Sequence, residues 1–213
     1  MLYIIFILMS VPMLMLAFFQ SNENRLVWIF TIFGMLAAVI SYEVNSFLNK
    51  CLNLKSYYLT VFVTPLVEEL LKLFFILIFV VLATCLTMFN NRLCFSVATA
   101  VGVGFALTEN TYFLTINYNA IDISWLVMRI FATGTMHIVV AAILGYSVII
   151  FKKWGKKLYI GFLLSLLITY LYHGMYNALL LSEYKVLALL LPIVSYIIMI
   201  VYNKKSNILN AEI

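Results

Sequence analysis

Apolar stretches long enough to cross a bilayer recur along the whole chain, and they constrain its fold more than any other feature. A membrane-spanning helix needs about 20 predominantly apolar residues. Of the 213 residues, 66% are hydrophobic and 10% are charged, whereas a soluble domain carries about 25% charged residues. The sequence therefore predicts an all-α, polytopic membrane protein that forms a single transmembrane domain over residues 1–213.

About seven membrane spans of suitable length can be drawn, and an eighth is possible. They cover Leu2–Gln20, Leu26–Val44, Pro65–Met88, Leu93–Ile116, Trp125–Phe151, Leu158–Leu181 and Val186–Tyr202. Between the second and third spans, Asn45–Tyr58 mixes lysines with apolar and aromatic residues, which is typical of an interfacial amphipathic segment. The third helix begins near Pro65, because proline suits a first helical turn, or at Tyr58, in which case Pro65 produces a kink.

Basic residues fall unequally on the two sides that alternate loops define. Cytoplasmic loops carry an excess of lysine and arginine. The richer side contains Arg25, Arg92, the lysines of 152–157, Lys204 and Lys205, and the poorer side contains Lys50, Lys55 and Lys185. This pattern predicts a cell-membrane protein with its C-terminus in the cytoplasm and its N-terminus outside. We interpret the formal charge of +5 as this orientation signal, and we expect no nucleic-acid partner.

Three charged side chains stand at the start of the third span, in Thr64-Pro65-Leu66-Val67-Glu68-Glu69-Leu70-Leu71-Lys72. A charge inside an apolar span costs about 2.5–3.5 kcal/mol on insertion scales, and it usually marks function. Glu68 and Lys72 are four residues apart with the acid first, so the spacing predicts an ion pair on one helix face. Glu69 points roughly 100° away from Glu68.

Titratable residues on three other predicted helices lie at a similar depth. At a rise of 1.5 Å per residue, Glu109 lies ~10 Å, His173 ~12 Å and His137 ~18 Å from the outer helix ends. Asn177 shares a face with His173. Small residues that permit close helix approach flank Glu109 and His137, namely Gly102, Gly104, Ala106, Thr133, Gly134, Ala141 and Gly145. The sequence predicts that these polar groups converge in the outer half of the membrane.

Such a group of residues can support hydrolysis in two ways. A carboxylate and a histidine can hold and deprotonate a water, while a second histidine and an asparagine donate hydrogen bonds to an oxyanion. Alternatively, a carboxylate and imidazoles can bind a zinc ion that activates the water. The residues alone leave open whether the protein has no cofactor or a zinc ion. Cys51, Cys85 and Cys94 show no metal or redox spacing.

The motifs resemble those of the PrsW intramembrane proteases, within the wider group of CAAX prenyl proteases and bacteriocin-processing homologues. They comprise Glu68-Glu69-x-x-Lys72, Gly104-Phe105-Ala106-Leu107-Thr108-Glu109-Asn110, His137 and His173-Gly174-Met175-Tyr176-Asn177. The resemblance covers residues from about 60 to 180, the expected catalytic core. Thr133, four residues before His137, and Lys72 stand where the CAAX group has phenylalanine and arginine, and both favour the PrsW branch.

The resemblance implies an intramembrane endopeptidase that cleaves membrane-anchored proteins such as anti-sigma factors. It implies that Glu68 activates water together with His137, and that Glu69 supports this step. His173 and Asn177 would form the oxyanion site. Lys72 is expected to have a supporting role, and Glu109 matches the second acidic motif. If the mechanism depends on a metal, the expected ligands are Glu69, His137 and His173.

Two other functions remain open at this point. Buried carboxylates, a lysine and histidines are also typical of a proton- or ion-coupled membrane transporter, although such a protein needs a continuous polar path. A haem protein could use His137 and His173 as axial ligands, but that function leaves Glu68 and Glu69 unexplained.

Overall fold

Six long helices make up most of the computed structural model, which describes residue 10 and residues 24–86, 88–117, 122–152, 158–206 and 209. The described residues form helices joined by short turns and contain no strand, which confirms the predicted all-α class. The helices are α1 (Asn24–Leu52), α2 (Thr64–Cys85), α3 (Asn91–Ile116), α4 (Gly134–Phe151), α5 (Leu158–Leu181) and α6 (Lys185–Ser206).

A short π-helical segment precedes each of the two helices α2 and α4. Segment π1 (Leu59–Val63) joins the helical turn Ser56–Tyr58 to α2. Segment π2 (Met128–Thr133) joins the turn Ile123–Val127 to α4. The backbone stays right-handed helical at both junctions, so the third predicted helix runs on from Ser56 and passes through a π turn just before Pro65.

Side-chain caps begin two of the helical segments. The Asn90 side chain accepts a hydrogen bond from the backbone N–H of Leu93 at 2.7 Å. The Asp122 side chain accepts one from Trp125 N–H at 2.6 Å. Such caps satisfy backbone donors that have no partner inside the helix, so α3 and the turn before π2 begin at defined residues.

Helix α3 lies at the centre of the bundle and makes backbone contact with α1. A Cβ atom on Gly34 of α1 would lie 2.1 Å from the Val101 carbonyl oxygen. A Cβ atom on Gly104 of α3 would lie 1.9 Å from the Thr31 carbonyl oxygen. Nearly all residues of α3 from Asn91 to Leu107 are buried. The small residues predicted around Glu109 therefore bring α3 close to its neighbours.

Five helices in the described part of the chain are long and apolar enough to cross a membrane. They are Arg25–Leu52, Asn91–Ile116, Ile123–Phe151, Tyr159–Leu181 and Lys185–Ser206. The predicted count of about seven is not confirmed. The first predicted span lies outside the described residues except for Ser10. The third corresponds to α2, which has the length of a span but contains Glu68, Glu69 and Lys72.

The second predicted span is longer than expected. Helix α1 continues without a break to Leu52, so most of the segment predicted to lie at the interface extends the span. Asn53, with a φ of 46°, follows it, and asparagine tolerates this left-handed conformation at a helix end. The outer faces of the bundle expose large apolar side chains such as Ile32, Leu163 and Val186, as a lipid environment permits.

Candidate active site

A cavity of about 1040 Å³ runs into the bundle from one end. Its rim includes Asn117, Asp122 and Lys185, which lie at or near helix ends. Its wall reaches five of the residues that the sequence singled out: Glu68, Glu109, His137, His173 and Asn177. The structure thus brings together polar residues from α2, α3, α4 and α5, which the sequence places at similar depths.

Glu69 and Lys72 form a fully buried ion pair on α2. Lys72 Nζ lies 2.7 Å from Glu69 Oε1, and both side chains are 0% exposed. The predicted partner of Lys72 was Glu68, four residues away, so this pairing differs from the expectation. Positions three and four residues apart are both neighbours on a helix. The tertiary partners decide between them, because Lys72 Nζ also lies 2.9 Å from His137 Nδ1.

His173 lies between the two glutamates of α2. Its Nδ1 atom is 2.8 Å from Glu69 Oε1, and its Nε2 atom is 3.9 Å from Glu68 Oε2. A carboxylate only accepts hydrogen bonds when ionised, so Nδ1 carries the proton that Glu69 accepts. The neutral ring then presents an unprotonated Nε2 toward Glu68. This nitrogen can bind a metal ion or accept a proton, and it can donate to an oxyanion only after it has accepted one.

His137 is held at both ring nitrogens and along its backbone. Its Nδ1 accepts from Lys72, and its Nε2 is hydrogen-bonded to Glu109 Oε2. Helix α3 approaches the backbone closely, since a Cβ atom on Gly102 would lie 2.6 Å from the His137 carbonyl oxygen. The Phe105 ring also packs against the imidazole, with 4.9 Å between centroids. These contacts fix the position of His137 beside His173.

Arg129 contacts the carboxylate oxygen of Glu109 that His137 does not contact. Its Nη1 atom lies 3.4 Å from Glu109 Oε1, and its guanidinium group lies 3.8 Å from the centre of the Phe113 ring. Arg129 was not among the predicted site residues. An arginine inside a predicted span, where charge is costly, is the signal that could have identified it.

A second contact that the sequence did not reveal joins Thr133 and Tyr176. Their side-chain oxygens are 2.8 Å apart, and both residues are buried. Thr133 is the position at which the motif departs from the CAAX group, and here its hydroxyl group anchors π2 to α5. Asn177, one residue beyond Tyr176, donates to the backbone carbonyl of Thr60 at 2.9 Å.

Glu68, His137 and His173 form a group that could hold a metal ion. Each offers one ligand atom, these atoms lie within 4.8 Å of one another, and all three residues are buried. The Oε2 atom of Glu68 is buried and has no hydrogen-bond partner among the described residues. Two histidines and one glutamate are a donor set of catalytic zinc sites. Ligand atoms around a tetrahedral zinc ion lie about 3.5 Å apart. The three residues therefore fit a metal ion once their ligand atoms move slightly closer together.

This candidate ligand set contains Glu68 where the sequence predicted Glu69. Glu69 Oε1 is already shared by Lys72 and His173, which suits it to orient a ligand from outside the metal site. His137 is engaged by Lys72 and Glu109 in this structure. Ligation through either ring nitrogen therefore requires one of these two contacts to open.

Comparison with known protein families identifies the chain. A model described as PrsW family intramembrane metalloprotease matches residues 22–203. No curated protein and no solved structure matches the chain significantly. Because the family match covers most of the sequence, the chain belongs to the PrsW family, and it is an intramembrane protease and a membrane protein. The membership decides against the transporter and haem alternatives.

Proposed function

We propose that this PrsW-family protease cleaves membrane-anchored protein substrates, such as an anti-sigma factor, at a metal centre held by Glu68, His137 and His173. The observation that carries the proposal is the position of Glu68. Its buried Oε2 atom has no hydrogen-bond partner in the described part of the chain and faces His173 Nε2 at 3.9 Å. A buried carboxylate oxygen without a hydrogen-bond partner is costly, and a bound cation would remove that cost.

The donor set favours zinc as the ion. When bound, zinc supplies Lewis-acid activation of a water and of the substrate carbonyl. The protein's own residues hold and orient the ion. Glu69 accepts the Nδ1 proton of His173 and fixes the direction of that ring, as carboxylates behind metal-bound histidines do. Lys72 holds Glu69 through the ion pair described above.

Since Glu68 holds the ion and Glu69 orients His173, Glu109 is the remaining carboxylate that can transfer a proton. It lines the cavity and is held by Arg129 and His137. We assign it the role of general base, which takes a proton from the attacking water and returns it to the amine of the departing peptide. In this scheme the water oxygen forms the new bond to the scissile carbonyl carbon, and the C–N bond breaks as the amine is protonated.

The substrate enters from the end of the bundle at which the cavity opens. That rim contains Asn117, Asp122 and Lys185, and the opposite end carries Arg92 and Lys152. The excess of basic residues at the opposite end supports a cytoplasmic location for that end. We therefore propose that the active site faces the outer half of the cell membrane, with the N-terminus outside and the C-terminus in the cytoplasm.

A cleavage assay with purified protein in detergent tests the metal-dependent activity. The wild type and Glu68→Gln are incubated with single-span substrates, with and without a strong chelator, and the metal content of each protein is measured. We expect cleavage by the wild type, loss of cleavage after chelation, recovery with zinc, and inactivity of Glu68→Gln. Glu183→Gln, a change at an exposed turn, is the matched control. Chelator-resistant cleavage would reject the metal centre.

The orientation is tested separately in cells. A reporter fused after Ile213 is expected to be active only in the cytoplasm. A reporter that is active outside the cell overturns the proposed orientation without affecting the assignment of the catalytic residues.

A further inference from the structure

The π turn before α2 leaves one backbone carbonyl without a helical partner. In π1 the Thr64 N–H donates to the Leu59 carbonyl, five residues back. In a regular α-helix that N–H would serve Thr60. The next donor along the chain would come from position 65, but proline has no N–H. Neither the α partner nor the π partner of the Thr60 carbonyl is therefore available.

Asn177 of α5 supplies the missing hydrogen bond. Its Nδ2 atom donates to the Thr60 carbonyl oxygen at 2.9 Å, although the two residues are 117 positions apart. The same face of α5 also contacts π1 at Gly174, where a Cβ atom would lie 2.7 Å from the Val61 carbonyl oxygen. A backbone carbonyl at membrane depth needs a partner in the protein or in a water-filled cavity, and the hydrogen bond from Asn177 supplies one, so Asn177 stabilises π1.

A second asparagine donates to the backbone of the other π turn, although the carbonyl that it contacts also accepts the helical hydrogen bond from Gly134 N–H. Asn110, directly after Glu109, donates through Nδ2 to the carbonyl oxygen of Arg129 at 3.2 Å. That carbonyl belongs to π2, which leads into the helix that carries His137. Both helices that open with a π turn are thus tied at that turn by an asparagine of a neighbouring helix.

The π turn determines which face of α2 points at His173. A π turn adds one residue to a helix, and each residue of an α-helix turns it by about 100°. If π1 relaxed to regular α-helix, α2 would rotate and move Glu68 and Glu69 away from His173. The hydrogen bond from Asn177 therefore bears directly on the 2.8 Å and 3.9 Å contacts between His173 and the two glutamates.

We propose that Asn177 is a positioning residue, which aligns Glu68 and Glu69 with His173 by satisfying the Thr60 carbonyl, and that it does not bind the oxyanion. This inference rests on the proposed metal centre. It replaces the oxyanion role that the family resemblance implied for Asn177. The contact directs the amide nitrogen at the π1 backbone, and α5 carries both His173 and Asn177 toward the same helix.

A double-mutant cycle between Asn177 and Pro65 tests the proposal, with zinc affinity measured by competition with a chromophoric chelator. Asn177→Ala is expected to weaken zinc binding about 10-fold, as loss of an orienting contact does. Pro65→Ala restores an N–H that can reach the Thr60 carbonyl. In the Pro65→Ala background, Asn177→Ala is therefore expected to weaken zinc binding by less than about 3-fold. Ser165→Ala, a buried change elsewhere on α5, is the control.

An oxyanion residue would behave differently. Its removal would lower kcat by about 10²–10³-fold, with zinc affinity unchanged and with the same loss in the Pro65→Ala background. That result would overturn the proposal while leaving the proposed metal centre intact. A wild-type protein that binds no zinc would instead reject the metal centre.

Thermal unfolding of the four proteins covers the case in which Asn177→Ala is too unstable for zinc titration. The apparent Tm of Asn177→Ala is then expected to rise when Pro65→Ala is added. A Tm that stays as low in the double variant shows that the two positions are not coupled and overturns the proposal.

Discussion

Glu69 and His173 are joined by a hydrogen bond of 2.8 Å between Oε1 and Nδ1, across 104 positions of the sequence. The same carboxylate oxygen is 2.7 Å from Lys72 Nζ. These contacts commit Glu69 to holding its neighbours in place. Both glutamates keep one oxygen without a hydrogen-bond partner among the described residues, but of the two it is Glu68 that lines the cavity. Two consecutive glutamates thus have different surroundings, and the following predictions separate their roles.

Glu68→Gln is expected to remove activity without loss of stability. The variant keeps the shape of the side chain but removes the charge needed to bind a cation. Loss of a partner that only orients a metal ligand costs about 10–100-fold in metal affinity or activity, so loss of the ligand itself is expected to cost at least as much. Because Glu68 makes no close ion pair, its replacement by glutamine leaves no charged partner unpaired. The measurements are kcat/KM and the apparent Tm in detergent. A variant with wild-type kcat/KM would contradict the role of Glu68.

Lys72→Met is expected to destabilise the protein strongly. It leaves the ionised Glu69 buried without its cation, and breaking a buried ion pair from one side costs about 3–5 kcal/mol. Adding Glu69→Gln removes the stranded charge, so the double variant is expected to recover most of the unfolding free energy while remaining inactive. Thermal unfolding measures both effects, with the exposed Lys50→Met as control. A double variant no more stable than Lys72→Met would argue against the buried pair.

Arg129→Met is expected to lower kcat more than it raises KM. Arg129 holds Glu109 Oε1 at 3.4 Å and packs over the Phe113 ring, so its loss frees the proposed general base rather than a substrate contact. Loss of such an orienting partner reduces activity by about 10–100-fold. Arg129→Lys keeps the charge but not the planar group, and its kcat is expected to lie between those of the wild type and Arg129→Met. A pure KM effect would assign Arg129 to substrate binding instead.

The sequence predicted which residues would meet but not how they would pair. Charges inside apolar spans are rare enough that Glu68, Glu69, Glu109, His137 and His173 could be selected from their depth alone. Their partners depend on distances between helices. The choice of Glu69 over Glu68 by Lys72 follows from the position of His137 on another helix, which no spacing within α2 encodes.

The π turns account for most of the remaining differences between the predicted and the observed structure. Pro65 indicated an irregular helix start, but it was compatible with a kink, a new helix or the observed π turn. Which of these forms depends on whether another helix can satisfy the freed Thr60 carbonyl, and here Asn177 does so. Arg129 was underestimated for a related reason, because its contact with Glu109 becomes evident only when α3 and π2 are placed side by side.

Gly102→Ala is expected to impair the site through the backbone of His137. The new Cβ atom would lie 2.6 Å from the His137 carbonyl oxygen and 2.8 Å from Ala141 Cβ. Helix α4 must therefore move away from α3, which costs about 1–3 kcal/mol as overpacking does. Because the displaced residue carries a proposed ligand, zinc affinity is expected to fall together with stability.

Gly145→Ala is the matched control for this effect. Its Cβ atom would lie 2.6 Å from Ala98 Cβ, between the same two helices but two turns beyond His137. It is expected to lower the apparent Tm by a similar amount while the folded protein keeps its zinc affinity and kcat. If both glycine variants lose zinc affinity equally, the effect is a general loosening of the α3–α4 contact, and the specific role of Gly102 in placing His137 is wrong.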